Sequence, residues 1–544
     1  MQRTSTTLLA AALALLFCLT HAGARGARAS APLPTTTPSP KPSATATPTP
    51  TPPTSPQVDR SFGVDGRQHV LFQNDAQGGY GPRAMANDVV VQPDGKSVVV
   101  GEARTVWTNN AFGVARLNAD GSPDSSFGVD GQTVVHVGGS YDVAYSVALQ
   151  QDGKIVVAGQ AYAGYGFTYD FAVVRLNADG SLDTTFGDGG KVTTDFGKDD
   201  IGRKVLIQPD GRIVVIGLSI NDRFALARYL PDGQLDPTFG AGGKVSTTYG
   251  EPRFLAFGGA LLPDGKILAV GDIAGSRPSD FALVRYLPDG TPDPTFGLLG
   301  LVTTDFGRNF GDYGYSVALQ PDGRFVVGGW AESTCPACYP VGDTSTALAR
   351  YLPDGLLDPT FGVAGRVVFD VTRNGDFDKA QDVVIQQNGK IVVVDAAPGH
   401  FTPGGSHYDF AVTRFMPDGL LDLGFGEAGV VRVDFGIFNP PGPPLYGSYF
   451  TGDDAYAVAL QADGKIVAAG YMAFGRTRRD FAVTRLLGDP VVTDDDEVPP
   501  PAPPLDEIPT AEPPPSSEAP KDEAPPPDEI PPPRLSGQAY GTGH

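Results

Sequence analysis

Cys335-Pro336-Ala337-Cys338 is a C-x-x-C pair. At a helix start such a pair does thiol–disulfide chemistry, because the helix dipole lowers one thiol pKa. Here it falls in WAESTCPACYPVGD, from Trp330, a stretch that joins two strand-like runs. In an exported chain it reads as a disulfide between Cys335 and Cys338 that stiffens the connection. Zinc would take two further ligands, and His400 and His407 could supply them only if a second connection met the first in space. The chain has six histidines and shows no G-x-S-x-G elbow, no H-E-x-x-H and no phosphate-binding glycine loop. A carboxylate pair for glycoside cleavage could stand among the 62 acidic residues, since separation along a chain says nothing about separation across a fold. No catalytic, cofactor-binding or metal residue is assigned.

Two residue types recur in register. Arginine stands at 116, 175, 228, 285, 350, 414 and 485, and aspartate at 59, 124, 183, 236, 293, 358 and 422. Seven symmetric copies argue against one active site and for an Arg–carboxylate pair bracing a turn, bidentate where geometry allows. NADGSLD, Asn177 to Asp183, has oxygen side chains that suggest a calcium loop. Its spacing is not that of an EF-hand and no Glu closes it, so turn hydrogen bonding competes with calcium.

The elements that position these residues follow from the repeat. A D-G turn (N-G once) places glycine at 95, 153, 211, 265, 323, 389 and 464, at spacings of 54 to 75 residues. From Ala144, AYSVALQ alternates, QDGK turns, and IVVAG follows as a β-branched run. Strand, D-G, strand is a hairpin signal. DFAVVRL and KVTTDFG add two more strands, giving four antiparallel strands per unit and no helix. IVVA is apolar at consecutive positions, so both sheet faces are buried against neighbouring units. Seven such units predict an all-β, seven-bladed β-propeller of four-stranded antiparallel blades. The F-G phenylalanines, Phe62, Phe127, Phe186, Phe239, Phe296, Phe361 and Phe425, are expected to bury between blades. DRSFGVDGRQHVLF, from Asp59, is the end of a repeat with nothing before it, and the seventh repeat stops after DFAVTRL. The N-terminal strand is therefore expected to complete the C-terminal blade and close the ring, where an open solenoid would need caps.

The pattern LQQDGKIVVAG … DFAVVRLNADGSLDTTFG resembles the delta-60 repeat of bacterial secreted proteins, over Val58 to about Leu487. The resemblance implies a β-propeller and supplies no catalytic residues. Asn388 in place of the turn aspartate, and STALARY from Ser345 without the D-F start, depart from it.

The remaining segments set the compartment. Arg3 followed by LLAAALALLFCL reads as a cleavable export signal over residues 1–31. Residues 32–57 are a Pro/Thr-rich spacer, 58–490 the propeller, and 491–544 an acidic Pro-rich tail without the apolar bulk to fold. A secreted or surface location follows, with no transmembrane segment in the mature chain. The net charge of −22 disfavours nucleic acid and anionic membranes. Uniform turns gather on one face and variable connections on the other, where function tends to ride. Those connections carry Tyr162, Tyr165, Trp330, His400, His407 and Tyr446, types that stack on sugars or anchor proteins. The expected function is binding of a polysaccharide or protein on that face. The alternatives are an extracellular hydrolase or lyase with carboxylates in the central funnel, and a purely structural surface protein.

Overall fold

In the second repeat the strands Val143–Leu149, Ile155–Tyr162, Tyr169–Leu176 and Lys191–Thr194 pair antiparallel in chain order. Gly153 closes the first hairpin at φ +84°, a left-handed conformation that costs glycine nothing. Ile155 to Ala161 are buried without interruption, as a strand packed on both faces must be. The computed structural model describes residues 57–489 except 73–82, 107–108, 165–167, 198, 220–222, 251–252, 275–277, 308–310, 334–342, 372–377, 399–406, 436–450 and 475–477. The signal, spacer and acidic tail lie outside the described residues, as do Cys335, Cys338, Tyr165, His400 and Tyr446. Among the described residues every regular element is a strand, and no helix is long and apolar enough to cross a membrane.

Five repeats form separate sheets, each built on four strands in sequence order. The first and seventh share one eight-stranded sheet. Arg67–Val70 pairs antiparallel with the last strand, Arg478–Leu486, in the register Arg67↔Thr484 to Val70↔Phe481. A single parallel pair, Arg83↔Arg479, joins that last strand to the first repeat. The sequence predicts seven separate sheets; this extra contact merges two of them.

Seven apolar clusters each lie between consecutive repeats, and one of them joins Val467, Phe481 and Val483 of the seventh to Val89, Val99 and Ala115 of the first. Burial of apolar surface between sheets, at about 25 cal/mol per Å2, is what holds units that cannot stand alone. All seven F-G phenylalanines are fully buried. Over each lies the recurring arginine, at 4.3 Å from the ring centre for Arg414 on Phe425 and 4.9 Å for Arg485 on Phe62.

The arginines do pair with the recurring aspartates, through one nitrogen rather than two. Arg175 Nε donates to Asp183 Oδ2 at 2.7 Å. Its second nitrogen reaches forward to the Pro231 carbonyl of the next repeat at 2.5 Å. The fork is thus divided between bracing its own turn and latching the neighbouring sheet. Arg485 makes the same bond to Asp59 at 2.9 Å, across 426 residues of chain. Oxygens of the NADGSLD loop accept turn donors: Asp179 Oδ1 takes the Ser181 amide at 2.9 Å and its hydroxyl at 2.6 Å.

Candidate ligand-binding site

Each repeat opens on a strand that is broken by one extra residue. The register slips between Ala86 and Asp88, Ala144 and Ser146, Gly202 and Lys204, Ala256 and Gly258, Gly314 and Ser316, Ala380 and Asp382, and Ala455 and Ala457. A β-bulge re-aims a side chain without ending the strand. The seven skipped residues, Asn87, Tyr145, Arg203, Phe257, Tyr315, Gln381 and Tyr456, all line one cavity of about 480 Å3. Four of them are aromatic. Phe257 and Tyr315 stack at 4.8 Å between ring centres, and Arg203 lies 4.1 Å over the ring of Tyr145.

In five of the seven strands the next residue is polar, Asp88, Ser146, Lys204, Ser316 and Asp382, and these form a layer. Asp88 Oδ2 accepts the Ser146 hydroxyl and the Val147 amide, both at 2.9 Å, and Lys204 Nζ stands 3.5 Å away. Asp382 accepts the Ser316 hydroxyl at 2.6 Å and the Val458 amide at 3.0 Å. Burial pushes the Asp382 carboxyl up, against the pull of Lys204. Both carboxylates thus accept a backbone amide of the following repeat. On the side of the D-G turns lies a second hollow of about 1020 Å3 that shares Ile385 and Leu460 with the first.

A family model described as "Domain of unknown function (DUF5122) beta-propeller" matches residues 92–127, 150–186, 208–239, 262–296, 320–361, 386–425 and 461–489. The first six matched segments each run from a D-G turn (N-G once) to the following F-G phenylalanine, and the seventh runs from its D-G turn to Asp489. The chain carries β-propeller repeats. A comparison with curated proteins gives no match. Among solved structures, a protein of unknown function from Dyadobacter fermentans is 12% identical, with 78% of this chain and 99% of that chain covered and a TM-score of 0.36. The α-L-arabinofuranosidase Arb93A of Fusarium graminearum is 11% identical, covering 63% and 91%, at a TM-score of 0.38. The polysaccharide lyase Uly1 is 12% identical, covering 77% and 94%, at a TM-score of 0.40. At these values the likenesses carry nothing about chemistry.

The blades place the residues singled out from the sequence unevenly. Trp330 belongs to the second strand of the fifth blade, Phe325–Ser333, rather than to a connection. It stacks on Tyr313 at 4.0 Å, with Lys379 Nζ 4.8 Å over its ring, and is 9% exposed. Tyr313 lies two residues before Tyr315, so Trp330 backs the aromatic layer of the cavity on its variable-connection side. Tyr162 ends a strand of the second blade, its ring 6.2 Å from Tyr141 and 6.1 Å from Tyr169. His407 opens the strand His407–Phe415 and pairs with Thr451. The bulge residues were not singled out. Their signal is a small residue, Ala or Gly, standing before a variable one in all seven first strands.

Buried acids ring the variable-connection face. Asp142 accepts the amides of Val137 at 2.8 Å, Gly138 at 3.1 Å and Tyr162 at 3.1 Å, tying one connection to two strands. Asp170, Asp195 and Asp200 converge, as do Asp280, Asp305 and Asp312, each set with oxygens within 4.8 Å of one another; these are the groups among the described residues with the spacing to hold a metal ion. Burial pushes Asp312 up to about 7, helped by Asp305 and Asp280 and opposed by the Phe306 amide. Asp453 rises to about 7 in the same way, buried beside Asp434 and Asp409. One blade interface departs from the rest. A Cβ on Gly159 would meet Phe112 of the preceding blade at 2.8 Å, and one on Gly329 would meet Phe281 at 2.9 Å. The sixth blade has Asp395 at this place, and the fifth has Thr346 in place of the phenylalanine. Thr346 donates its hydroxyl to Asp395 Oδ1, and Thr413 donates to Oδ2 at 3.3 Å.

Proposed function

We propose that the chain is an exported propeller of the delta-60 repeat kind, with seven blades closed into a ring by Arg67–Val70 on the last blade, and that it binds a polysaccharide through the variable-connection face. The observation that carries this reading is the cavity: all seven first strands contribute a bulge residue to it, and four of those residues are aromatic. Flat apolar rings beside polar groups suit the C–H faces and hydroxyls of a sugar. The apolar cluster between the seventh and first repeats supports closure. Binding rather than hydrolysis or elimination is supported by Asp88 and Asp382, whose oxygens are taken by blade-to-blade hydrogen bonds. The Pro/Thr spacer would hold the propeller away from the cell surface. Retention of the full chain on a panel of envelope polysaccharides tests the reading. Retention without product release is expected, weakened roughly two- to tenfold in Tyr315→Ala and Tyr456→Ala, since an aromatic contact is worth about 0.5–1.5 kcal/mol. Release of sugar fragments would show an enzyme instead, and unchanged retention in both variants would remove the cavity from the interaction.

A further inference from the structure

The cavity holds two neighbouring cations of different standing. Lys204 faces Asp88 at 3.5 Å. Arg203 has no carboxylate partner among the described residues, and its Nε is buried without a hydrogen-bond acceptor. The guanidinium is held by rings instead, 4.1 Å over Tyr145 and 5.8 Å from Phe257. Stacking occupies the faces of the guanidinium and leaves its in-plane N–H groups to donate. A buried donor without an acceptor is unfavourable, so this site is completed by something that accepts. Beside it, Phe257 and Tyr315 stack on one another at an interplanar angle of 23°, and both line the cavity.

We propose that the cavity takes an acidic sugar, a uronate unit of a polysaccharide, with its carboxylate on Arg203 and the C–H groups of its ring against the aromatic lining that Phe257, Tyr315 and Tyr456 provide. This deepens the binding function proposed above and rests on it. A carboxylate presents two oxygens that match the guanidinium fork, as a phosphate also does. A uronate holds that carboxylate rigidly beside a ring face, so one residue meets both features in a cavity of about 480 Å3. An acidic peptide side chain brings the carboxylate on a flexible stem and has no ring face. The attraction must be local, because the chain as a whole carries −22 and repels anions at range. Screening over about 8 Å at physiological salt keeps the two effects separate.

The test titrates the full chain calorimetrically with three probes: oligogalacturonate, its methyl ester, and polyglutamate. The acid form should bind at least tenfold more tightly than the ester. Arg203→Gln should abolish that preference, and Arg203→Lys, which keeps the charge and loses the fork, should restore only part of it. If Arg203→Gln fails to fold, the acid-against-ester comparison on the unaltered chain decides. Equal affinity for acid and ester, or an acid preference that survives in Arg203→Gln, overturns this inference and leaves glycan binding standing. Polyglutamate bound in preference to oligogalacturonate overturns the sugar assignment. No binding of any glycan, acidic or neutral, overturns both readings.

Discussion

Asp395 is fully buried in the interface between the fifth and sixth blades, where other blades place a glycine. Burial pushes its carboxyl up to about 6 from an ordinary 3.8, although the hydroxyls of Thr346 and Thr413 favour the charged form. Between those two values the folded state keeps the proton and the unfolded state has lost it. Stability therefore falls as pH rises from 4 to 6, and above 6 the fold holds a buried charge at full cost. A shift of about 2 pK units corresponds to about 3 kcal/mol. Asp395→Asn keeps the shape and removes the charge. Urea midpoints of the full chain and the variant, measured from pH 4 to pH 8, should converge or favour the original at pH 4. The variant should gain about 3 kcal/mol relative to it by pH 7. Other titrating groups are common to both and cancel. A stability difference that does not change with pH would refute the reasoning. The double variant Thr346→Phe/Asp395→Gly, which rebuilds the pair used at other interfaces, should also lose the pH dependence; Thr346→Phe alone should be far less stable, because the ring would meet the Asp395 side chain.

Three further outcomes follow from the same structure. Arg175→Met leaves the buried Asp183 with only the more distant Lys154, at 4.0 Å, for a cation and releases the Pro231 carbonyl of the next blade, which should cost up to about 3–5 kcal/mol in thermal unfolding. Arg175→Lys should recover little of this, since an ammonium cannot serve both acceptors in that geometry. Asp453→Asn should leave the thermal midpoint nearly unchanged at pH 4 and raise it progressively up to pH 8, because a carboxyl that rises from 3.8 to about 7 on folding loses stability as pH climbs between those two values. Gly217→Ala should be destabilising by at least 1–3 kcal/mol, or fail to fold, because its Cβ would stand 1.9 Å from the Ile201 carbonyl oxygen; soluble yield and the thermal midpoint read this directly.

Periodicity made the architecture legible. The D-G glycines fix the hairpins because glycine alone takes a left-handed turn freely, and Gly153 sits at φ +84° as that requires. Consecutive apolar residues in the second strands demanded cover on both faces, and seven inter-repeat clusters supply it. The recurring arginine and aspartate were readable as a pair, since the aspartate follows the arginine by eight residues in six of the seven cases, and Arg485 finds Asp59 only through the N-terminal segment. What the arginine does with its remaining nitrogens was not, because the Pro231 carbonyl lies 56 residues further on. The exchange of phenylalanine for Thr346 was visible as a missing D-F start, but its compensation by Asp395 needs the two strands side by side.

The candidate site belongs almost wholly to the tertiary structure. Loop aromatics were the natural candidates, because variable connections are where sequence and exposure coincide. Trp330 is instead a buried strand residue, stacked on Tyr313 behind the cavity. The cavity-lining residues come from seven strands at one height, set by a bulge in each. A one-residue bulge leaves no mark in the hydrophobic alternation beyond a small residue before a variable one. Sequence by itself determined the repeat, its turns and its core, because those depend on neighbours along the chain. Tertiary structure decided which side chains share a space, because Asn87, Arg203 and Tyr456 meet only when seven separate first strands are brought around one axis.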